Sequence, residues 1–134
     1  MYKKIKIKSN IINLRIVENA IDTTTCQIGI SVDNYGKILV STLEAVNNAI
    51  LHGNNSNPEK FVNIEFVFIN KELKIKVIDE GIGFKPEDVP DPTLPENIEE
   101  PGGRGVFLIS HLADKVKYSK RGNSVTMIFK NIIP

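Results

Sequence analysis

Phe61–Ile78, FVNIEFVFINKELKIKVI, decides the fold. Phe61 to Ile69 is rich in aromatic and β-branched residues, and Leu73 to Ile78 alternates apolar side chains with lysines. Asn70-Lys71-Glu72 separates the two runs. Two period-two stretches joined by so short a polar link read as an antiparallel hairpin. Parallel neighbours would need a long crossover instead, so the hairpin argues against a doubly wound parallel sheet.

Working outward, Lys3 to Lys8 also has period two, with Ile5 and Ile7 on one face and lysines on the other, as in a solvated edge strand. From Asn10 the period changes. Ile12, Ile16, Val17, Ala20, Ile21 and Ile28 recur at helical intervals, which predicts an amphipathic helix to about Cys26. Asp33-Asn34-Tyr35-Gly36 reads as a break. A second helix is predicted from about Lys37 to His52, with Ile38, Leu39, Leu43, Val46 and Ile50 as its apolar stripe, ended by Gly53-Asn54-Asn55-Ser56-Asn57-Pro58. Towards the other end, Gly105 to Leu112 reads as a short helix, and Val116 to Tyr118 and Val125 to Phe129 as a second hairpin across Arg121-Gly122-Asn123. The expected fold is α+β: a two-layer α/β sandwich with a mixed, mostly antiparallel sheet, covered on one face by about three helices.

The 134 residues suffice for one domain, 1–134. A hydrophobic share of 41% and a charged share of 25% are globular proportions and exclude bulk disorder. The net charge of +1 gives no global reason to bind nucleic acid or an anionic membrane. One cysteine, Cys26, excludes an internal disulfide framework and suits a reducing, cytoplasmic setting. No apolar run approaches the ~18 residues of a membrane span, and the lysine-rich start does not lead into a signal-peptide core. Special residues are unevenly placed. Gly81, Gly83, Gly102, Gly103 and Gly105 bracket a stretch holding Pro86, Pro90, Pro92, Pro95 and Pro101. It is acidic throughout, with Glu87, Asp88, Asp91, Glu96, Glu99 and Glu100 and no cation between Lys85 and Arg104. So long a Pro-rich segment in a small domain reads as a functional lid or an inserted loop.

Three constellations carry chemistry. Glu44 and Asn48 stand four apart on the second predicted helix, hence on one face, beside its apolar stripe. A carboxylate and an amide so placed could hold a hydrated Mg²⁺ and poise a base, or simply lie on the helix's solvated flank. Asp79-Glu80-Gly81-Ile82-Gly83 follows a strand in which parity puts Asp79 on the side of Leu73, Ile75 and Val77. That acid could accept a hydrogen bond from a buried ligand, with Gly81 and Gly83 leaving the backbone open, or the motif could be an ordinary Asp-x-Gly turn. Gly103-Arg104-Gly105 opens a helix and so forms a candidate anion site, to which Arg104 could add charge, or else a lid hinge.

In this order and spacing the three resemble the N, G1 and G2 boxes of the GHKL superfamily of ATP-binding proteins, whose shared unit is the Bergerat fold. Glu44-Ala45-Val46, Asn48-Ala49-Ile50 and His52-Gly53 look most like the anti-sigma-factor serine kinases of bacterial partner-switching systems. The resemblance spans nearly the whole chain and implies a role for each motif. Asn48 would coordinate Mg²⁺. Glu44 would be the catalytic base, deprotonating a seryl hydroxyl as it attacks the γ-phosphate of ATP. Asp79 would accept from the adenine amino group, with Gly81 and Gly83 shaping the base pocket. Gly103, Arg104 and Gly105 would meet the phosphates, and residues 85–102 would form the lid. The implied function is an Mg-ATP-dependent serine-protein kinase that sequesters a sigma factor and phosphorylates a small antagonist, as a homodimer; the first strand and helix, with the start of the second helix, match the region these kinases use to dimerise and grip a sigma factor. A nucleotide-gated binding module without kinase chemistry is the alternative. A detached histidine-kinase catalytic domain fits less well, and the lysines of the first strand, without an aromatic platform or recognition helix, make a poor nucleic-acid site.

Overall fold

The computed structural model describes residues 1–81 and 103–134, with backbone alone for 103–107. Five strands form one sheet: β1 (Tyr2–Lys8), β2 (Phe61–Ile69), β3 (Glu72–Ile78), β4 (Lys115–Tyr118) and β5 (Ser124–Phe129), in the spatial order β1-β2-β3-β5-β4. All four pairings among these strands are antiparallel. The predicted central hairpin is β2–β3. Its turn is the two residues Asn70 and Lys71, both at positive φ (55° and 64°), as a tight hairpin matched to strand twist requires.

Strand parity divides the sheet into two faces. Ile5, Ile64, Val77 and Val125 fall in one cross-strand row, and Phe66, Ile75, Met127 and Val116 in the next. These side chains, with Ile7, Val62, Leu73 and Phe129, form the buried inner face. The opposite face carries Lys4, Lys6, Lys8 and Lys74, all exposed. Long cations can remain hydrated there while their stems cover the sheet.

Helices α1 (Leu14–Ile28), α2 (Val32–Asn48) and α3 (Gly103–Leu112) form the second layer, and a short 3-10 turn, Ile11–Asn13, leads into α1. Val17, Ala20 and Ile21 from α1 join Ile38, Ala45 and Val46 from α2 and Ile109 from α3 in one core with the inner sheet face. Among the described residues α2 packs against both other helices, which makes it the centre of the layer.

The break between the first two helices lies earlier than the sequence implied. It falls at Gly29, which takes a left-handed conformation (φ 83°) and donates its N–H to the Thr25 carbonyl. Extended Ser31 then starts α2, so Asp33 to Gly36 are helical. Asp33 lies in the first turn, where a carboxylate meets the positive end of the helix dipole. The expected turn chemistry was therefore N-terminal helix chemistry. α2 also does not end as a plain α-helix: Ala49–Gly53 continue it as a wider π-type turn.

These two glycines predict opposite mutational effects. At Gly29 an added Cβ has space but the left-handed backbone penalises it, so Gly29→Ala should destabilise by about 1–2 kcal/mol. Gly36 is exposed and helical, with nothing within 4 Å of an added Cβ, so Gly36→Ala should stabilise by about 0.5–1 kcal/mol. Urea melts of the two variants test the sign of each.

Candidate nucleotide site

Glu44 and Asn48 lie on the last turns of α2, half-buried. Their neighbours Ala45, Val46, Ala49 and Ile50 are buried, so the helix is anchored by its core face while these two polar groups stand at its margin. A carboxylate and an amide one turn apart, on a helix fixed by packing, are a rigid pair of hard oxygen donors.

The wider turn after Asn48 brings the chain against the end of β3. Asp79 leaves that strand on the inner side, as strand parity requires, and its carboxylate lies against Gly53. A Cβ added at Gly53 would stand 2.4 Å from the Asp79 Cγ. One added at Gly81 would stand 2.1 Å from the Gly53 carbonyl oxygen and 2.9 Å from Asp79 Oδ1. Gly53, Asp79 and Gly81 therefore form one close contact of two backbones and a carboxylate. Only glycine fits at the two backbone positions.

Several groups fix the acid. The Gly81 N–H donates to Asp79 Oδ1 at 2.7 Å, and the Asp79 N–H donates to the Asn123 carbonyl at 2.9 Å. Burial holds the Asp79 carboxyl above its ordinary value. The Gly81 N–H and the positive charges of Lys60 and Arg121 oppose that shift without cancelling it. A carboxylate kept short of water at a strand end, with glycines on either side, is suited to a donor brought by a ligand.

Gly103, Arg104 and Gly105 occupy the first turn of α3, two residues earlier than the predicted helix start. Their N–H groups belong to the unpaired set at a helix beginning, and α3 packs on α2, the helix that carries Glu44 and Asn48. The structure thus joins Asp79 and Gly81 directly and links the other two constellations through helix packing. Gly83 and the stretch 85–102 lie outside the described residues. Sequence reasoning passed over Gly53 and Asn123 as site components. Gly53 stands next to His52 in the motif, but its need for glycine comes from Asp79, which is remote in sequence.

Comparison with known proteins shows the family and the fold. A family model described as "Histidine kinase-like ATPase domain" matches residues 8–129. The serine-protein kinase RsbW of Oceanobacillus iheyensis is 32% identical over 112 residues, covering 79% of this chain and 71% of its own. The anti-sigma F factor of the same organism is 31% identical over 113 residues, covering 81% and 77%. The serine-protein kinase RsbW of Staphylococcus epidermidis is 32% identical over 108 residues, covering 75% and 68%. A solved structure of the RsbU and RsbW domains of Rv1364c from Mycobacterium tuberculosis superposes on 97% of this chain with a TM-score of 0.71 at 15% identity. This chain spans 32% of that longer protein, and the likeness concerns the fold.

Two predictions follow from the close contact. Gly81→Ala should cost about 1–3 kcal/mol, because its Cβ meets backbone that cannot step aside, and a urea melt measures this. For Asp79, the folded-state pKa lies above the unfolded value of 3.8, so the fold favours the protonated acid. That favourable contribution is complete below the unfolded value and is lost as pH rises through the folded one. Asp79→Asn should therefore raise the Tm of the nucleotide-free protein by a few degrees at pH 7–8, the gain narrowing as pH falls into the carboxylate range. Thermal melts across pH check it, and a lower Tm at neutral pH would contradict the assignment of burial as the dominant cause.

Proposed function

Because this chain belongs to the histidine kinase-like ATPase domain family, we propose that it binds Mg²⁺ and ATP where α2, the end of β3 and the start of α3 meet, and transfers the γ-phosphoryl group to a seryl hydroxyl of a partner protein. The observation that carries this reading is the Asp79 carboxylate held against Gly53 and Gly81, beside the layer whose central helix bears Glu44 and Asn48.

Asp79 accepts from the exocyclic amine of adenine, and the bare backbone at Gly81 leaves room for the ring. The N–H groups of Gly103 and Gly105, at a helix start, donate to phosphate oxygens, and Arg104 between them in sequence is the further phosphate-binding residue of this reading. Among the described residues no three His, Cys, Asp or Glu side chains form a metal cage. Mg²⁺ takes oxygen donors and keeps several waters, and in this reading Asn48 supplies one amide oxygen. When bound with the nucleotide, the ion neutralises phosphate charge and orients the γ-phosphoryl group.

Glu44 acts one helical turn from Asn48. Its carboxylate takes the proton of the seryl hydroxyl while the seryl oxygen bonds to the γ-phosphorus. The bond from that phosphorus to the β,γ-bridging oxygen breaks, and ADP leaves. Little covalent chemistry is asked of the protein, since positioning and charge neutralisation lower most of the barrier.

Two partners fit this reading: a sigma factor held by binding, which the name anti-sigma F factor of one relative supports, and a small antagonist protein whose serine receives the phosphoryl group, as the serine-protein kinase name of another is consistent with. The chain works as a homodimer through β1 and the start of α1. β1 is an edge of the sheet, and Tyr2, Ile11, Ile12 and Ile16 beside it are 45–63% exposed, more apolar surface than a solvated flank needs. No helix among the described residues is long and apolar enough to cross a membrane.

Glu44→Ala tests the reaction separately from binding. Phosphorylation of the antagonist should fall by at least about 100-fold, the typical contribution of a general base, while ATP affinity stays within about threefold. Removing Mg²⁺ should weaken ATP binding more than about tenfold, and Asn48→Ala should abolish most of that metal dependence. Calorimetric titration and a radiolabel-transfer assay measure both. Full kinase activity in Glu44→Ala would overturn the base assignment, and ATP binding without phosphoryl transfer in the wild type would leave a nucleotide-gated binding module.

A further inference from the structure

Asn54 follows the site glycine Gly53 and is fully buried, at 0% exposure. Asparagine is mostly a surface residue, so an amide with no contact to water must be matched to its surroundings. Its Nδ2 donates to Ser9 Oγ at 2.7 Å and to the Phe61 carbonyl at 3.0 Å. Its Oδ1 accepts the Glu80 N–H at 2.8 Å. Both amide hydrogens and the amide oxygen are engaged.

The three partners stand at the ends of three strands. Ser9 directly follows β1, Phe61 begins β2, and Glu80 follows Asp79 at the exit of β3. Ser9 is itself fastened, its N–H and hydroxyl both donating to the Lys60 carbonyl at 3.0 Å and 2.8 Å. The Glu80 carboxylate returns to the Phe61 N–H, closing the ring of contacts from the other side. The Asn54 backbone N–H donates to the Ala49 carbonyl at 2.8 Å, closing the wide turn that sets Gly53 against Asp79. One residue therefore holds both sides of the Gly53–Asp79–Gly81 contact: Gly53 through its own main chain, and the peptide after Asp79 through its side chain.

We propose that Asn54 is a positioning residue for base recognition: by tying the Glu80 N–H to the ends of β1 and β2, it sets where the Asp79 carboxylate stands and so the discrimination in favour of a purine with an exocyclic amine. This rests on the reading of Asp79 as the acceptor for that amine. The chemistry requires an amide. Aspartate at position 54 would keep the acceptor for Glu80 but offer no donors to Ser9 Oγ and the Phe61 carbonyl, and leucine would remove all three bonds. Asn54 is not assigned contact with the nucleotide. Its effect passes through the angle and depth of Asp79, while the phosphate end at α3 lies on a different element.

The test compares calorimetric affinities for ATP and for purine riboside triphosphate, which lacks the exocyclic amine, each with Mg²⁺. In the wild type the ratio of dissociation constants should favour ATP by about 10–100-fold, the range for one hydrogen bond to a charged group. Asn54→Asp should cut that ratio to within about threefold of unity while leaving affinity for the purine analogue within about threefold of wild type. A residue that only supports folding would lower the active fraction and leave the ratio untouched, and an unchanged ratio overturns the proposal. Ser9→Ala is a milder second variant, removing one acceptor and preserving the Asn54–Glu80 bond. It should lower the ratio about two- to fivefold, and no change there also overturns the proposal. Asp79→Ala, which removes the acceptor, run in parallel separates the failures. A ratio lost in Asp79→Ala but kept in the other two variants refutes the role of Asn54 alone. A ratio kept in Asp79→Ala refutes the reading of Asp79, and the role of Asn54 falls with it.

Discussion

The rest of the site depends on one contact: a carboxylate packed against two stretches of bare backbone. Asp79 fits only if neither Gly53 nor Gly81 carries a side chain, because each added Cβ would stand well inside contact distance of its neighbour. That requirement passes to the chain on both sides. α2 must end in a turn wide enough to carry Gly53 to the strand end, and β3 must leave the sheet with its acid facing the helices. Burial makes the charge expensive, as the raised Asp79 pKa records, and the Gly81 N–H, Lys60 and Arg121 offset part of that cost. In the proposed reading the unmet remainder is what a ligand donor satisfies.

α2 connects this contact to the core. Ile38, Ala45 and Val46 bury one face of the helix completely or nearly so, while Glu44 and Asn48 stand at the margin of the same turns. Neither polar residue can shift without moving a helix that packs on both α1 and α3. Precision in a phosphoryl-transfer site comes from such rigidity, because the reaction depends on placing groups more than on making bonds to the protein. The α3 start and the α2 pair keep their relation through helix packing rather than through a hydrogen bond between them.

What the sequence made legible was what depends on near neighbours. Alternation over 61–78 yielded the hairpin, and the same alternation placed Asp79 on the inner face before any contact was known. Residues four apart on a helix gave the Glu44–Asn48 pair. The first interhelix break was misplaced because Asp33-Asn34-Tyr35-Gly36 has the composition of a turn, and the same residues also suit a helix start when extended Ser31 precedes them. Gly29 alone carried the true signal, a glycine after an apolar stripe. Asn54 was illegible for a different reason. Among Asn55, Ser56, Asn57 and Pro58 it looks like one more turn residue, and its burial follows from Ser9, 45 positions away, and from Glu80, 26 positions away.

Those long separations also explain why the Asp79 contact and the global fold are hard to alter independently. The side chain of Asn54 joins the ends of β1 and β2 to the exit of β3, so the Asp79 carboxylate is set by contacts that form only when the sheet is complete. A local fluctuation that freed the end of β1 would release Ser9 from the Lys60 carbonyl and from Asn54 together, and so loosen the support beneath Glu80. By linkage, a ligand that prefers the ordered acid would in turn hold the strand ends closed. β1 is also the edge proposed above to meet a second copy. The same buried amide therefore gives nucleotide occupancy and the order of that edge a physical route to each other, through hydrogen bonds rather than through a long chain of packed side chains.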